Sequence, residues 1–161
     1  MKLPAHVLFR KELSLMVWKP HGVLDQALVN EIVAFVEAAE ERVQKPFNRF
    51  VDLSALDAVD LNFSFVFHIA LHRRLAFDSH PPVKSAFYVT SPDTAHYPKL
   101  HAMLTDHSPL HVSLFTERAA AAKWLGVPVE ALGCRTFLRL RSQNESFFEK
   151  TPRPAEIELV M

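Results

Sequence analysis

Three aspartates follow one another closely where a short apolar strand gives way to a helix. Asp52 lies within the predicted strand at residues 50–53, and Asp57 and Asp60 follow it before an apolar helical segment that starts near residue 62. Carboxylates at the carboxyl end of a strand in an α/β sheet can hold a cation or act as acid and base. Asp60 can instead cap the helix, and Asp52 can accept hydrogen bonds from loop amides. We favour this structural interpretation of the three residues.

Two histidines on the predicted helix that follows could share a metal ion. His68 and His72 are four residues apart, a spacing at which two imidazoles on one helix can bind the same metal, and Asp57 or Asp60 would add a carboxylate. However, the chain has nine histidines, so such pairs are expected by chance, and no glutamate completes an HExxH pattern. We therefore expect no cofactor and keep a metal-assisted hydrolase using His68, His72 and Asp60 as an alternative.

Other catalytic signatures are missing from the sequence. The chain has three glycines and no GxGxxG or GxxxxGK[ST] loop for a phosphate group. Ser91, Asp93 and His96 could form a Ser/His/Asp trio on paper, but no GxSxG elbow accompanies them. Cys134 is the only cysteine, which rules out an internal disulfide. The sequence therefore favours binding over catalysis.

Charge and hydropathy narrow the class of protein. Eighteen basic and eighteen acidic residues balance in a chain of 161 residues, so no net field attracts it to nucleic acid or to an anionic membrane. No apolar run approaches the roughly 18 residues that span a bilayer. Residues 1–6 lack the apolar core of a signal peptide. We expect a cytoplasmic protein, and its balanced charge favours self-association.

Strand-like runs alternate with helical repeats along most of the chain. The predicted strands cover residues 6–9, 13–18, 50–53, 83–89 and 110–115, and the predicted helices cover residues 24–43, 62–76, 92–104 and 117–125. Ser91 and Thr116 are predicted N-caps, and Gly126 is a predicted C-terminal stop. Right-handed crossovers between these strands give a mainly parallel sheet, which the first hairpin makes mixed. We expect an α/β domain at residues 1–127 and a partly packed C-terminal extension at residues 128–161.

The segment from Asp52 to the second helix also suggests a family. A strand at residues 51–54, a loop, and Asp60 at the head of an apolar helix resemble the STAS domain of anti-sigma factor antagonists. Residues 13–127, with a closing strand and a helix that ends in Trp-Leu, are similar to the SpoIIAA-like branch of that superfamily. The resemblance implies a mixed, mainly parallel sheet of about five strands with helices packed on it. The antagonists are phosphorylated at a serine that matches Leu61, which has no hydroxyl, so the resemblance implies a regulatory scaffold without its phosphoswitch.

The second predicted helix is apolar on two faces. At about 100° per residue, one face is expected to pack on the sheet, and it comprises Phe63, Val66, Phe67, Ala70 and Phe77. Phe65, Ile69 and Ala76 form a strip nearly opposite, and Ser64, His68 and His72 form a polar stripe between the two. Because both apolar faces must be covered, we expect a second copy, a partner protein or the C-terminal extension to cover Phe65 and Ile69. Arg73 and Arg74 suit the negative end of this helix, with anion binding as the alternative.

These observations lead to one leading hypothesis and an alternative. We expect a non-enzymatic regulatory or protein-interaction domain that forms a homodimer or binds another protein, with no nucleic-acid partner. The candidate interaction residues are Asp52, Asp57, Asp60, Leu61, Ser64, Phe65, His68, Ile69 and His72. The alternative is a carrier of a small apolar molecule or lipid in a pocket beside the strand ends, because some relatives of the scaffold it resembles bind lipids.

Overall fold

Strands and helices alternate along residues 3–133, the part of the chain that the computed structural model describes. The strands are β1 (Val7–Arg10), β2 (Leu15–Trp18), β3 (Gly22–Asp25), β4 (Asn48–Asp52), β5 (Leu56–Asp60), β6 (Val83–Tyr88) and β7 (Leu110–Phe115). The helices are α1 (Gln26–Val43), α2 (Phe63–Ala76), α3 (Pro92–Leu104) and α4 (Arg118–Leu125), with 3-10 turns at Lys11–Leu13 and Val129–Leu132. No helix in this described part is both long and apolar enough to cross a bilayer.

Five of the strands form one mixed sheet in the order β1-β2-β4-β6-β7. β1 and β2 pair antiparallel, as expected of a hairpin, while the β2–β4, β4–β6 and β6–β7 pairs are parallel. Helices α1, α2 and α3 connect the successive parallel strands, which is the usual way to join strands that run in the same direction. The predicted α/β class and the mixed, mostly parallel sheet of five strands are confirmed.

A second sheet of two strands is not predicted by the sequence. β3 and β5 pair in parallel, with Leu24 opposite Val59 and Asp25 opposite Asp60. The prediction of a loop between Asp52 and Asp60 is therefore wrong for residues 56–60, and the first helix begins two residues later than predicted. Both strands are short and half-exposed and are distant in sequence, so no local pattern signals their pairing.

Both faces of the large sheet are covered, because alternate residues of each strand point to opposite sides. In β2, Met16 and Trp18 belong to a core that α1 and α3 complete, whereas Leu15 and Val17 belong to a core that α4 completes. The 3-10 turn Val129–Leu132 packs on this second core, so the start of the predicted extension is packed. Residues 134–161, the rest of that extension, lie outside the described residues.

Helix α2 begins at an asparagine cap and not at the predicted aspartate. The Oδ1 atom of Asn62 accepts a hydrogen bond of 2.8 Å from the backbone N–H of Phe65, whereas Asp60 is the last residue of β5. Helix α4 likewise begins after Glu117, which makes no capping bond through its side chain, so the prediction of Thr116 as the cap is wrong. Both errors are displacements of one or two residues along the chain.

Other helix boundaries agree with the sequence prediction. Ser91 caps α3 through a hydrogen bond of 3.3 Å from the backbone N–H of Asp93 to its Oγ atom, and Pro92 is the first residue of the helix. Gly126 ends α4 with a φ of 73°, in the left-handed region that glycine adopts without strain. These residues confirm the predicted entry to α3 and the predicted end of α4.

The cap of α2 can be tested by substitution. Asn62→Ala removes the oxygen that satisfies a free backbone N–H of the first turn, so we expect the free energy of unfolding to fall by about 1 kcal/mol in urea denaturation. Asp60→Ala, the control at the predicted cap, should change it by less than about 0.5 kcal/mol. Equal losses in the two variants would contradict this boundary.

Candidate functional site

Helix α2 has one face towards the sheet and one towards solvent, but part of the predicted assignment is reversed. Val66 is buried, as predicted. Phe65 and Ile69, which were expected on the outer face, instead line a cavity between α2 and the sheet. Phe63 and Phe67, which were expected to face the sheet, are 62% and 39% exposed. The prediction is wrong because both faces carry aromatic residues, and periodicity alone does not say which face meets the sheet.

The exposed apolar residues of α2 repeat every four positions. They are Phe63, Phe67, Leu71 and Leu75, of which the last two are 42% and 66% exposed. The rings of Phe63 and Phe67 stack with their centroids 6.2 Å apart. Because residues four apart are neighbours on a helix, the four side chains form a continuous patch about 18 Å long, which we call the outer strip.

The predicted polar stripe lies beside the outer strip and is exposed. It consists of Ser64, His68 and His72. The ring of His68 meets Phe67 edge-on at 5.9 Å, and the Nε2 atom of His72 lies 2.6 Å from the Oε1 atom of Glu37 on α1. His72 therefore contacts a carboxylate of another helix, while His68 borders the outer strip.

The three candidate aspartates are not brought together. Asp52 is fully buried at the end of β4, whereas Asp57 and Asp60 are exposed on β5. Within residues 3–133, no three His, Cys, Asp or Glu side chains are placed so that they could hold a metal ion. The described residues therefore do not form the ligand set that a hydrolase based on His68, His72 and Asp60 requires.

Asp52 is the centre of a hydrogen-bonded cluster on the α4 side of the sheet. Its Oδ1 atom accepts bonds from the backbone N–H of Ser54 at 3.0 Å and from the Ser54 hydroxyl at 2.6 Å, which confirms the predicted bond to a loop amide. Its Oδ2 atom accepts a bond of 2.5 Å from Nη2 of Arg118, whose guanidinium also lies over the ring of Tyr88. Burial alone would raise the pKa of Asp52, but the bonds from Ser54 and Arg118 outweigh burial and hold this pKa below 3.8.

An apolar cavity of about 150 Å³ lies between the three helices α1, α2 and α3 and the sheet. Trp18 and Val51 line it from the sheet, Ile32 lines it from α1, and Phe65 and Ile69 line it from α2. An apolar protein cavity of about this volume can admit a ring the size of benzene. The inner face of α2 therefore borders this cavity as well as packed core.

Two arginines with buried side chains belong to the wall of this cavity. Arg49 of β4 pairs with Glu40 of α1. The Nη1 atom of Arg73 on α2 donates to Glu37 at 3.1 Å, and its Nη2 atom lies 3.7 Å from Glu40. The ring of Phe77 lies 5.2 Å from one guanidinium and 4.9 Å from the other. We call Glu37, Glu40, Arg49 and Arg73 the buried charge network, in which both arginines are buried and Glu37 is partly exposed.

Two N–H groups of the buried charge network make no hydrogen bond within the described part of the chain. Arg49 Nε and Arg73 Nη2 are buried and have no hydrogen-bond partner among residues 3–133. A buried polar atom without a partner costs about 1–3 kcal/mol, so proteins seldom leave one. His101 of α3 lines the same cavity, and burial, together with the positive charges of Arg73 and Arg49, lowers its pKa to about 4. The imidazole is therefore neutral at pH 7, and the residues that line the cavity are mostly apolar, with the two paired arginines and this neutral ring among them.

Sequence reasoning missed Arg49 and His101 and treated Arg73 as a residue of the helix end. Alternation along β4 carried a usable signal, because Arg49 shares the parity of Val51, which faces α1. Arg73 carried one too, because it follows Ile69 by four positions and so shares its helix face. No comparable signal marked His101, because the apolar residues of α3 are spread around the helix and do not define one buried face.

Comparison with protein-family models, with curated proteins and with solved structures finds no match for this chain. A function therefore has to be inferred from the arrangement of the described residues. The two features that carry such an inference are the outer strip and the cavity, which lie on opposite sides of α2.

The role of Asp52 gives a prediction that depends on pH. A folded-state pKa below the ordinary value means that the Asp52 carboxylate stabilises the fold above about pH 4 and loses that effect as the pH falls through the folded-state pKa. We expect Asp52→Asn to lower the free energy of unfolding by about 2 kcal/mol at pH 7.

The difference between Asp52→Asn and the unmodified protein should shrink in urea denaturation as the pH is lowered from 5 to 3. Asp57→Asn, the exposed control, should stay within about 0.5 kcal/mol of the unmodified protein throughout. A difference for Asp52→Asn that is as large at pH 3 as at pH 7 would contradict the structural role of the ionised carboxylate.

Proposed function

We propose that this chain is a non-enzymatic regulatory domain of STAS type that acts through protein contacts and self-associates through the outer strip. The single observation that carries the proposal is the row of four exposed, large apolar side chains along α2. Contiguous apolar patches larger than a few hundred Å² are rare on monomeric soluble proteins, and those that occur often mark interaction sites.

The STAS-type assignment is supported by the topology and by Leu61. A mixed five-stranded sheet with helices between its parallel strands agrees with what the resemblance implies. Leu61 packs on the core and lines the cavity. The side chain at the position of the antagonists' phosphorylated serine therefore lies against the protein interior, which supports a scaffold that works without a phosphoswitch.

The partner that best fits the outer strip is a second copy of the chain. A row of residues at every fourth position is a ridge of the kind that packs against a like ridge when two helices cross at about 50°. Ser64 and His68, which border the strip, carry neither a carboxylate nor an amine, so these two residues would not oppose a fixed like charge in a second copy.

The size of the strip is suited to the centre of such an interface. Its exposed apolar surface is on the order of 400 Å² per copy, taking the area of a phenyl side chain as a guide. A stable interface buries about 800 Å² per partner, with an apolar centre and a polar rim. The strip would supply the centre, and the polar stripe of Ser64, His68 and His72 would contribute to the rim.

The proposal can be tested by replacing the two middle residues of the outer strip with small polar ones. Phe67→Ser combined with Leu71→Ser removes two central anchors without touching the cavity wall, so the dissociation constant of the dimer should rise by at least about 100-fold. Light scattering over a concentration series should show the mass of a dimer for the unmodified protein and that of a monomer for the double variant.

Two substitutions away from the strip serve as controls. Val23 on β3 and Met103 on α3 are also large, apolar and exposed, so Val23→Ser combined with Met103→Ser removes similar apolar surface and should leave the dimer intact. The proposal fails if the unmodified protein is a monomer at every concentration, or if the outer-strip variant dimerises as well as the control.

The cavity favours a second candidate function, the binding of a small molecule. Most of its lining side chains are apolar, and it lies between the sheet and the helices α1, α2 and α3. Its volume of about 150 Å³ suits a ring or a short chain and is too small for a long acyl chain. Of the two kinds of ligand in the carrier alternative, a small apolar molecule therefore fits the cavity better than a lipid.

A further inference from the structure

The lining of the cavity is rich in aromatic side chains, and they come from four different elements. Trp18 of β2 and Phe87 of β6 line the cavity from the sheet. Phe65 of α2 and Tyr97 of α3 line it from the helices. Phe87 also meets the ring of His101 on α3 edge-on, with the two ring centroids 6.3 Å apart. A molecule inside the cavity would therefore meet aromatic side chains from the sheet and from the helical layer.

Aliphatic side chains and one thioether make up much of the remaining lining. Ile32 and Val36 line the cavity from α1, and Val51 lines it from β4. Met16 of β2 lines it too, and the sulfur of a methionine makes favourable contacts with aromatic rings. An apolar cavity of about this volume stays dry and can take up benzene. The lining therefore suits a small apolar ring better than it suits water.

The charged groups of the two lining arginines are already engaged by the protein. Arg49 pairs with Glu40, and Arg73 pairs with Glu37. Both guanidiniums also lie against the ring of Phe77. Their two unbonded N–H groups are themselves buried, so they are not offered to a ligand. An ionised ligand would lose its water in the cavity without gaining an opposite charge, which is costly.

The other polar side chains of the lining also favour an uncharged ligand. Ser85 and Tyr97 contribute hydroxyls. Burial, together with the positive charges of Arg73 and Arg49, lowers the pKa of His101 to about 4, so its imidazole is uncharged at pH 7. A hydroxyl or a neutral imidazole does not balance the charge of a carboxylate or an ammonium group.

From this arrangement we propose that the cavity binds a small, uncharged aromatic molecule with one ring, which packs against Trp18, Phe65 and Phe87. Aromatic rings in edge-to-face or offset contact gain stability beyond the apolar area that they bury, so an aromatic ligand gains more from this wall than an aliphatic ring of the same size. The inference rests on the second candidate function, small-molecule binding, and specifies its ligand class. It does not depend on the proposed dimer.

The ligand class can be tested on the unmodified protein with three compounds. Anisole and cyclohexyl methyl ether are uncharged and similar in size and hydrophobicity, but only anisole is aromatic, whereas benzoate is aromatic and charged. Each is titrated at pH 7 and constant ionic strength, and amide chemical shifts are followed by NMR. We expect anisole to bind one site with a Kd of about 1 mM or lower and to shift the amides of Val66, Ile69 and His101. Cyclohexyl methyl ether should bind at least about threefold more weakly than anisole, and benzoate at least about tenfold more weakly.

Substitutions on α2 test the wall itself. Phe65→Leu keeps the lining apolar but removes one aromatic ring, so anisole should bind at least about threefold more weakly while cyclohexyl methyl ether changes by less than about twofold. Phe63→Leu is the matched control, because it makes the same change on the exposed face of the same helix, and it should alter neither affinity. Val66→Phe fills the cavity and should abolish the binding of both compounds. The Phe65→Leu comparison and the ligand series remain decisive if Val66→Phe does not fold.

Several results would overturn the inference. Cyclohexyl methyl ether that binds as tightly as anisole would refute the aromatic class, and benzoate that does so would refute the uncharged one, while small-molecule binding itself would stand in both cases. A folded Val66→Phe variant that still binds anisole would place the site elsewhere. If no compound moves the amides of the cavity, this inference and the second candidate function fail together. The variant with Phe67→Ser and Leu71→Ser should bind anisole normally even as a monomer, so the dimer and the ligand site succeed or fail separately.

Discussion

The position of α2 depends on the buried charge network of Glu37, Glu40, Arg49 and Arg73. Taking a guanidinium out of water costs several kcal/mol, which only close pairing can offset. Glu37 and Glu40 of α1 supply that pairing to Arg49 of the central strand β4 and to Arg73 of α2. These charges join β4 of the sheet to α1 and α2 of the helical layer above it, and separating them would leave an arginine buried without its partner. We infer that the network sets which face of α2 turns inward.

The consequence is a helix that separates two different surfaces. Val66 and Ile69 on the inner side border the cavity, while Phe67 and Leu71 on the outer side face solvent. The diameter of one helix, about 10 Å, lies between them. A molecule that enters the cavity and a protein that docks on the outer strip would therefore both act on the position of the same helix, which is the physical requirement for one to influence the other.

The order of elements follows from the sequence because it depends on local patterns. Helical repeats, the cap at Ser91 and the left-handed stop at Gly126 act within a few residues, and all three were predicted. The orientation of α2 was not, because both of its faces are apolar and the choice is made by the pairing of Arg73 with residues of α1, far away in the sequence. The pairing of β3 with β5 was also missed, because it too joins residues that are far apart in the sequence.

The candidate site was only partly visible in the sequence. Phe65 and Ile69 were identified as important, but they line the cavity and do not form the outer strip. Asp52 was correctly interpreted as a residue that holds the loop, whereas Arg49 drew no attention because a lone arginine in a strand is ordinarily assumed to face water. A buried charged residue can be recognised only when the tertiary structure shows which oppositely charged residues pair with it.

The central claim is that the buried charge network holds α2 against the sheet, with the cavity within and the outer strip outside. Native-state amide hydrogen exchange of Glu40→Gln tests it most directly. We expect the amides of α2 to exchange faster by on the order of tenfold, while those of β6 and β7 retain their protection. Unchanged exchange in α2, or an equal acceleration in every element, would contradict it.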